Sequence, residues 1–257
     1  MKKTTLFAYL TCLIYSTVFS NGYGQHPAVA PAGIPADEIN VRYGTHDRNV
    51  FDLWLADSNE PTPLVIFIHG GGFVSGDKSK AYERDEIDFF LDKGISYATI
   101  NCRYMTGEPL GVRASLYDSQ RALQYIRSRA KEWNIDKDRI ACYGGSAGAG
   151  TSLWLAFHDD MADPANEDPV LRESTRALAA AALSTQATYN LARWNEVFDI
   201  PVMAEDSSGV WRFYGFNARE EIHTPEGQAV IAACKSSQGS RRGGRGSCDG
   251  ICSRNWH

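Results

Sequence analysis

Two hydrophobic periods alternate along the chain. INVRYG (39–44) and NVFDLWLA (49–56) read as strands, and the four-residue turn Thr45-His46-Asp47-Arg48 between them predicts a hairpin. PLVIFIHG (63–70) is a continuous apolar run, the pattern of a strand buried on both faces. YERDEIDFFLDKG (82–94) has helical character and stops at Gly94. ISYATINCRY (95–104) is a second buried strand. The clearest helix is predicted over 113–133, where Leu116, Leu123, Ile126, Ala130 and Trp133 recur at spacings of three, four or seven. DRIACYG (138–144) reads as a strand and 146–157 as a helix. RALAAAALSTQA (176–187) ends in a strand, although its alanines would also suit a helix. Alternating strands and helices predict the α/β class with a mainly parallel sheet.

Both ends depart from this pattern. MKK is followed by the uncharged, mostly apolar TTLFAYLTCLIYSTVFS, with small residues near Val18 and Ser20, the layout of a secretory signal peptide over 1–24. A buried N-terminal helix is the alternative. Export, to the periplasm or the medium, is the expectation, with no stable membrane anchor: the run is short for a span, and no small residue precedes Cys12. Residues 25–36 read as a Pro/Ala linker. From Lys235 the chain (KSSQGSRRGGRGSCDGICSRNWH) loses its apolar period and becomes rich in glycine and arginine, so 235–257 reads as a disordered or out-of-frame tail. Residues 37–234 remain for the domain.

Composition adds limits. With 257 residues, 43% hydrophobic and 22% charged, one core-forming domain is expected. The net charge of −5 offers no reason to expect nucleic acid or an anionic membrane as partner. The oligomeric state is left open. Cys102 and Cys142 sit in predicted core strands and read as small buried hydrophobes. Cys234, Cys248, Cys252 and His257 are too few and too poorly placed to predict a metal site. The acidic run 158–169 lacks the Gly-centred loop and terminal Glu of a calcium site and reads as a solvated loop.

The chemistry centres on IACYGGSAGAG (140–150). Ser146 has glycines at −2 and +2, Gly144 and Gly148, at a strand-to-helix junction. That bracket suits a sharp turn in which neighbouring chain passes too close for a Cβ and the hydroxyl stands exposed. Ala147 would present its N–H at a helix N-terminus. By composition, about 0.16 such brackets arise by accident in a chain like this, so the motif alone decides little. His69-Gly70-Gly71-Gly72 directly follows the buried strand 63–68, and His followed by three glycines arises by accident only about 0.004 times. A phosphate loop would need Gly-Lys-Ser/Thr opening a helix, which FVSGDKS does not supply.

With both motifs present, the chain resembles the α/β-hydrolase superfamily, and within it the hormone-sensitive-lipase-like branch of carboxylesterases. INCRY (100–104) is similar to that branch's Asn-Tyr-Arg segment, with Cys102 in place of tyrosine. The resemblance covers about residues 39–200. It implies an α/β-hydrolase fold with helices on both faces of the sheet, and hydrolysis of small-molecule acyl esters without metal or organic cofactor. It implies Ser146 as nucleophile and the N–H groups of Gly71, Gly72 and Ala147 as oxyanion hole. Gly70, Gly144 and Gly148 support the motifs, and His69 resembles the histidine that organises the loop.

The same resemblance places an acid and a histidine after two further strands. Downstream, His158 lies at the end of the helix begun at Ser146, His223 in a polar segment, and His257 in the tail; Asp199 and Asp206 follow no clear strand. The last strands are therefore expected to be missing, as in a truncated or frame-shifted copy, with weak activity or none. A non-catalytic binding protein or unstable fragment is the competing reading, and a serine peptidase rests on fold analogy alone.

Overall fold

A computed structural model of the chain describes residues 33–83, 85–185, 210–216 and 218–236. Its strands are β1 (Glu38–Arg42), β2 (Val50–Trp54), β3 (Thr62–Ile68), β4 (Ser96–Ile100), β5 (Ile135–Gly145) and β6 (Ala179–Leu183). They form one sheet in the order β1-β2-β4-β3-β5-β6. The β1–β2 hairpin is antiparallel, and β2 pairs antiparallel with β4. From β4 onward every pairing is parallel. The α-helices are α1 (Glu86–Leu91), α2 (Val112–Ser128), α3 (Ala147–Phe157) and α4 (Pro225–Ser236).

Alternation along the strands explains the layers. Leu64, Ile66 and Ile68 of β3 join Ile140 and Cys142 of β5 on one face, against Leu123 and Ile126 of α2 and Leu155 of α3. Val65 and Phe67 point to the other face with Trp54, Tyr97 and Tyr143, against Ile87 and Phe90 of α1. The central strands thus bury both faces, which is why 63–68 is apolar without interruption. Each fully buried Leu or Ile contributes about 1.5–3 kcal/mol of transfer free energy, so these clusters dominate the domain's cohesion.

Several boundaries differ from the sequence reading. The 82–94 segment divides into a 3-10 turn at Lys78–Glu83 and the short α1. Helix α2 stops at Ser128, yet Ala130 and Trp133 remain in the core, because the following turns continue the same facing until Asn134 takes φ 50° and Ile135 enters β5. Within the stretch read as linker, the Trp54 indole donates to the Ile34 carbonyl (2.8 Å), and Ala36 packs beside that ring's cluster. At the other end α4 runs to Ser236, two residues into the predicted tail. Residues 1–32, with the predicted signal, and 237–257 lie outside the described residues.

Two buried polar assemblies brace the sheet. The Lys78 ammonium pairs with the Asp52 carboxylate, which also accepts from the Tyr82 hydroxyl and from the Asn40 N–H (2.7 Å). Asp118 of α2 accepts from Asn49 (2.8 Å) and clasps the Arg103 guanidinium through both carboxylate oxygens. The second assembly ties the hairpin turn and the loop after β4 to one helix.

Candidate active site

Parallel strands deliver their C-terminal loops to one edge of the sheet, where open α/β sheets bind ligands. There β5 ends at Gly145 and α3 begins at Ala147, with Ser146 between them at φ 53°, ψ −117°. Non-glycine residues seldom take such angles, and they persist only where surroundings hold them. Two bonds hold this one: the Ser146 N–H donates to the Leu183 carbonyl of β6 (2.8 Å), and its carbonyl accepts from Gly150 N–H (3.0 Å) as the helix starts. Ser146 is exposed while Ala147 to Gly150 are buried.

The glycine bracket has a direct steric cause. A Cβ on Gly144 would stand 2.8 Å from the Gly148 carbonyl carbon, and one on Gly148 would stand 2.8 Å from the His69 carbonyl oxygen. In both cases the Ile68 carbonyl oxygen would be closer still. The end of β3 therefore runs hard against the serine turn, bringing the His69–Gly72 loop over it. A Cβ on Gly70 would stand only 3.5 Å from Ser146 Cβ. The two motifs meet, although Gly70 and Ser146 are 76 residues apart in the sequence.

The glycine loop uses its carbonyls inwardly. The Gly70 oxygen accepts from His69 Nδ1 (2.7 Å), and the Gly71 oxygen accepts from the N–H groups of Val74 and Ser75 and from the Ser75 hydroxyl (each 3.1 Å). Gly71 and Gly72 take φ 115° and 62° to do so. Among the described residues the N–H groups of Gly71, Gly72 and Ala147 donate to no acceptor. Free N–H donors beside a helix N-terminus suit a developing negative charge. Beneath them Phe73, Met105, Val112, Leu116 and Ala147 form a small apolar cluster, with Trp154 against it.

His69 is buried, and burial lowers its pKa to about 4, so the ring is neutral at pH 7. Its Nε2 lies 3.4 Å from an Arg48 nitrogen. A guanidinium only donates, so Nε2 carries the lone pair and Nδ1 carries the proton given to Gly70. The ring thus serves the loop and has no free nitrogen to serve Ser146. Of the other described histidines, His46 accepts from the Arg48 N–H at its Nδ1 (3.1 Å), His158 lies against Trp154 with its Nδ1 at the Asp159 carbonyl (2.9 Å), and His223, itself exposed, ends the 3-10 turn Arg219–His223. Among the described residues no imidazole or carboxylate bonds the Ser146 hydroxyl. Asp199, Asp206 and His257 lie outside them. Cys102 and Cys142 are buried free thiols, pushed up by burial to about 11 and about 12. Asp160, in the acidic run, spends its oxygens on Ser174, Thr175 and the Ala162 N–H.

Sequence reasoning read Arg48 only as a turn residue. Its role at the loop depends on contacts across 21 and 28 residues, for which no local pattern exists.

A mainly parallel sheet whose fifth strand turns through a strained serine into a helix, under a triple-glycine loop, is the architecture of an α/β-hydrolase. The comparisons agree. The BD-FAE family model matches residues 51–208, well over half of the chain, and the chain belongs to that family. It is 24% identical over 168 residues to versiconal hemiacetal acetate esterase of Dothistroma septosporum, covering 63% of this chain and 47% of that protein. It is 33% identical over 94 residues to an arylesterase of Saccharolobus solfataricus, covering 35% of this chain and 30% of the relative. The chain thus spans less than half the length of these curated relatives. In structure it is similar to the butyrate-bound esterase 2 of Thermogutta terrifontis, with TM-score 0.51 at 22% identity, over 65% of this chain and 59% of that one. That likeness shows the fold.

Proposed function

We propose that this chain hydrolyses small acyl esters with Ser146 as nucleophile and the N–H groups of Gly71, Gly72 and Ala147 as oxyanion hole. The observation that carries this reading is the exposed, strained serine at the start of α3, beneath a loop whose N–H groups have no acceptor among the described residues. The Ser146 oxygen would add to the ester carbonyl as its proton passes to a base. The N–H groups would stabilise the tetrahedral oxyanion, and collapse would release the alcohol and leave an acyl-serine for water to cleave. No metal or organic cofactor enters this sequence. Short acyl groups are the substrates proposed, supported by the acetate ester in the name of the Dothistroma relative and the butyrate held by the Thermogutta enzyme. Replacing Ser146→Ala should remove all hydrolysis of p-nitrophenyl butyrate above the small rate left by binding alone. Turnover unchanged in that variant would refute the assignment.

A second reading, ligand binding without turnover, is favoured by one observation: no base reaches the Ser146 hydroxyl among the described residues. An unactivated serine attacks esters poorly. Saturable binding of the ester with no Ser146-dependent turnover would establish this reading over the first.

For localisation we propose export, supported by the basic start and apolar run of residues 1–20. Mass spectrometry of exported material should find a new N-terminus between Ser20 and Gln25; an intact Met1 confined to the cytosol would overturn it.

A further inference from the structure

Arg48 sits in the β1–β2 turn, and its side chain crosses to the loops that follow β3 and β4. Its Nε donates to the Cys102 carbonyl (2.8 Å), and one terminal nitrogen donates to the Gly76 carbonyl (3.0 Å) and faces His69 Nε2 (3.4 Å). The other terminal nitrogen lies 3.7 Å from Asp77. The guanidinium plane covers the Tyr104 ring at 3.9 Å, and the Tyr104 hydroxyl donates to the same Gly76 carbonyl (2.6 Å). Gly76, at φ 103°, leaves no space there: a Cβ would run into the Gly70 oxygen and His69 Nδ1. The base of the clamp is itself fixed, because the neighbouring Asn49 is bonded to Asp118.

We propose that Arg48 is a positioning residue for the glycine loop: by donating to His69 Nε2 it holds the imidazole as the neutral Nδ1–H tautomer, and that proton ties down the Gly70 carbonyl at the head of the loop that carries the Gly71 and Gly72 N–H groups. Its catalytic meaning rests on the ester-hydrolase reading above. Lysine does not replace this arrangement, since one ammonium lacks the planar set of donors and the flat face laid on Tyr104. The charges facing His69 agree in part. Arg48 and Lys80 disfavour its protonation and Asp77 favours it, while burial dominates.

The test uses the full chain with 15N-labelled histidine, comparing wild type with Arg48→Met and Arg48→Lys. Wild-type His69 should show the Nδ1–H tautomer and stay neutral to about pH 4. Both variants should show mixed tautomers. In Arg48→Met, which loses the charge as well, the titration should also move upward. With p-nitrophenyl butyrate, kcat should fall about tenfold or more while KM changes less than about threefold, since the oxyanion donors act in the transition state. Should Arg48→Met fail to fold, the tautomer in Arg48→Lys decides alone. An unchanged His69 tautomer in the variants would overturn the proposal, whatever happens to melting temperature. A shifted tautomer in a chain that never hydrolyses ester would uphold the clamp and overturn the hydrolase reading instead.

Discussion

Gly148→Ala is the sharpest perturbation of the serine turn. The added methyl carbon would stand 2.7 Å from the Ile68 carbonyl carbon and 2.8 Å from the His69 oxygen, with the Ile68 oxygen nearer still, whereas ordinary contact starts near 3.4 Å. All three are backbone atoms of β3 and the residue after it, so no rotamer change relieves the overlap. Helix α3 and the end of β3 must separate. Overpacking that side chains can absorb costs about 1–3 kcal/mol; with backbone on both sides we expect about 3 kcal/mol or more. For a domain of this size that is a melting temperature lower by about 6–12 °C. Gly94→Ala is the control. It has open space around it and only a φ of 70° to oppose a side chain, so about 1 kcal/mol is expected. Separation would also move Ser146 from beneath the glycine loop, and labelling by a fluorophosphonate should slow in Gly148→Ala but not in Gly94→Ala. Thermal unfolding and labelling rates measure both effects. A Gly148→Ala protein that melts no lower than Gly94→Ala would refute the steric account of the bracket.

Lys78→Met leaves the buried Asp52 carboxylate without its cation and should cost about 3–5 kcal/mol in urea unfolding, whereas adding Asp52→Leu should recover much of that loss; equal stability of the single variant and wild type would show that the pair contributes nothing. His69 stays neutral in the fold down to about pH 4 but takes a proton at about 6.5 when unfolded. Stability is therefore constant from this group above pH 6.5 and falls as pH drops from there toward 4, by about 3 kcal/mol in all. His69→Asn should flatten that slope between pH 7.5 and 4.5, and an unchanged slope would assign it to another group.

Much of this molecule is legible locally. Alternating apolar runs name the strands because each strand's burial is written in its own residues: both faces of 63–68 are apolar since both are covered. The Gly-x-Ser-x-Gly bracket and the triple glycine announce sharp turns for the same reason, that backbone conformation depends on the residue occupying it. Boundaries are less legible. Trp133 keeps the helical spacing after α2 has ended, because a turn returns the chain to the same face of the core.

What tertiary structure alone decides is which distant segments meet. Nothing near Gly148 foretells the Ile68 carbonyl that forbids its side chain, and nothing in Thr-His-Asp-Arg foretells that Arg48 reaches His69 and Gly76. A hydrogen bond or a clash between residues far apart depends on strand order, and the order β4-β3-β5 is set by packing both faces of the sheet at once. The sequence by itself determined the elements, the serine turn and the glycine loop. Only the folded sheet brought the loop over the serine and placed an arginine from the first hairpin to hold it, because a parallel sheet collects the C-terminal ends of its strands along one edge.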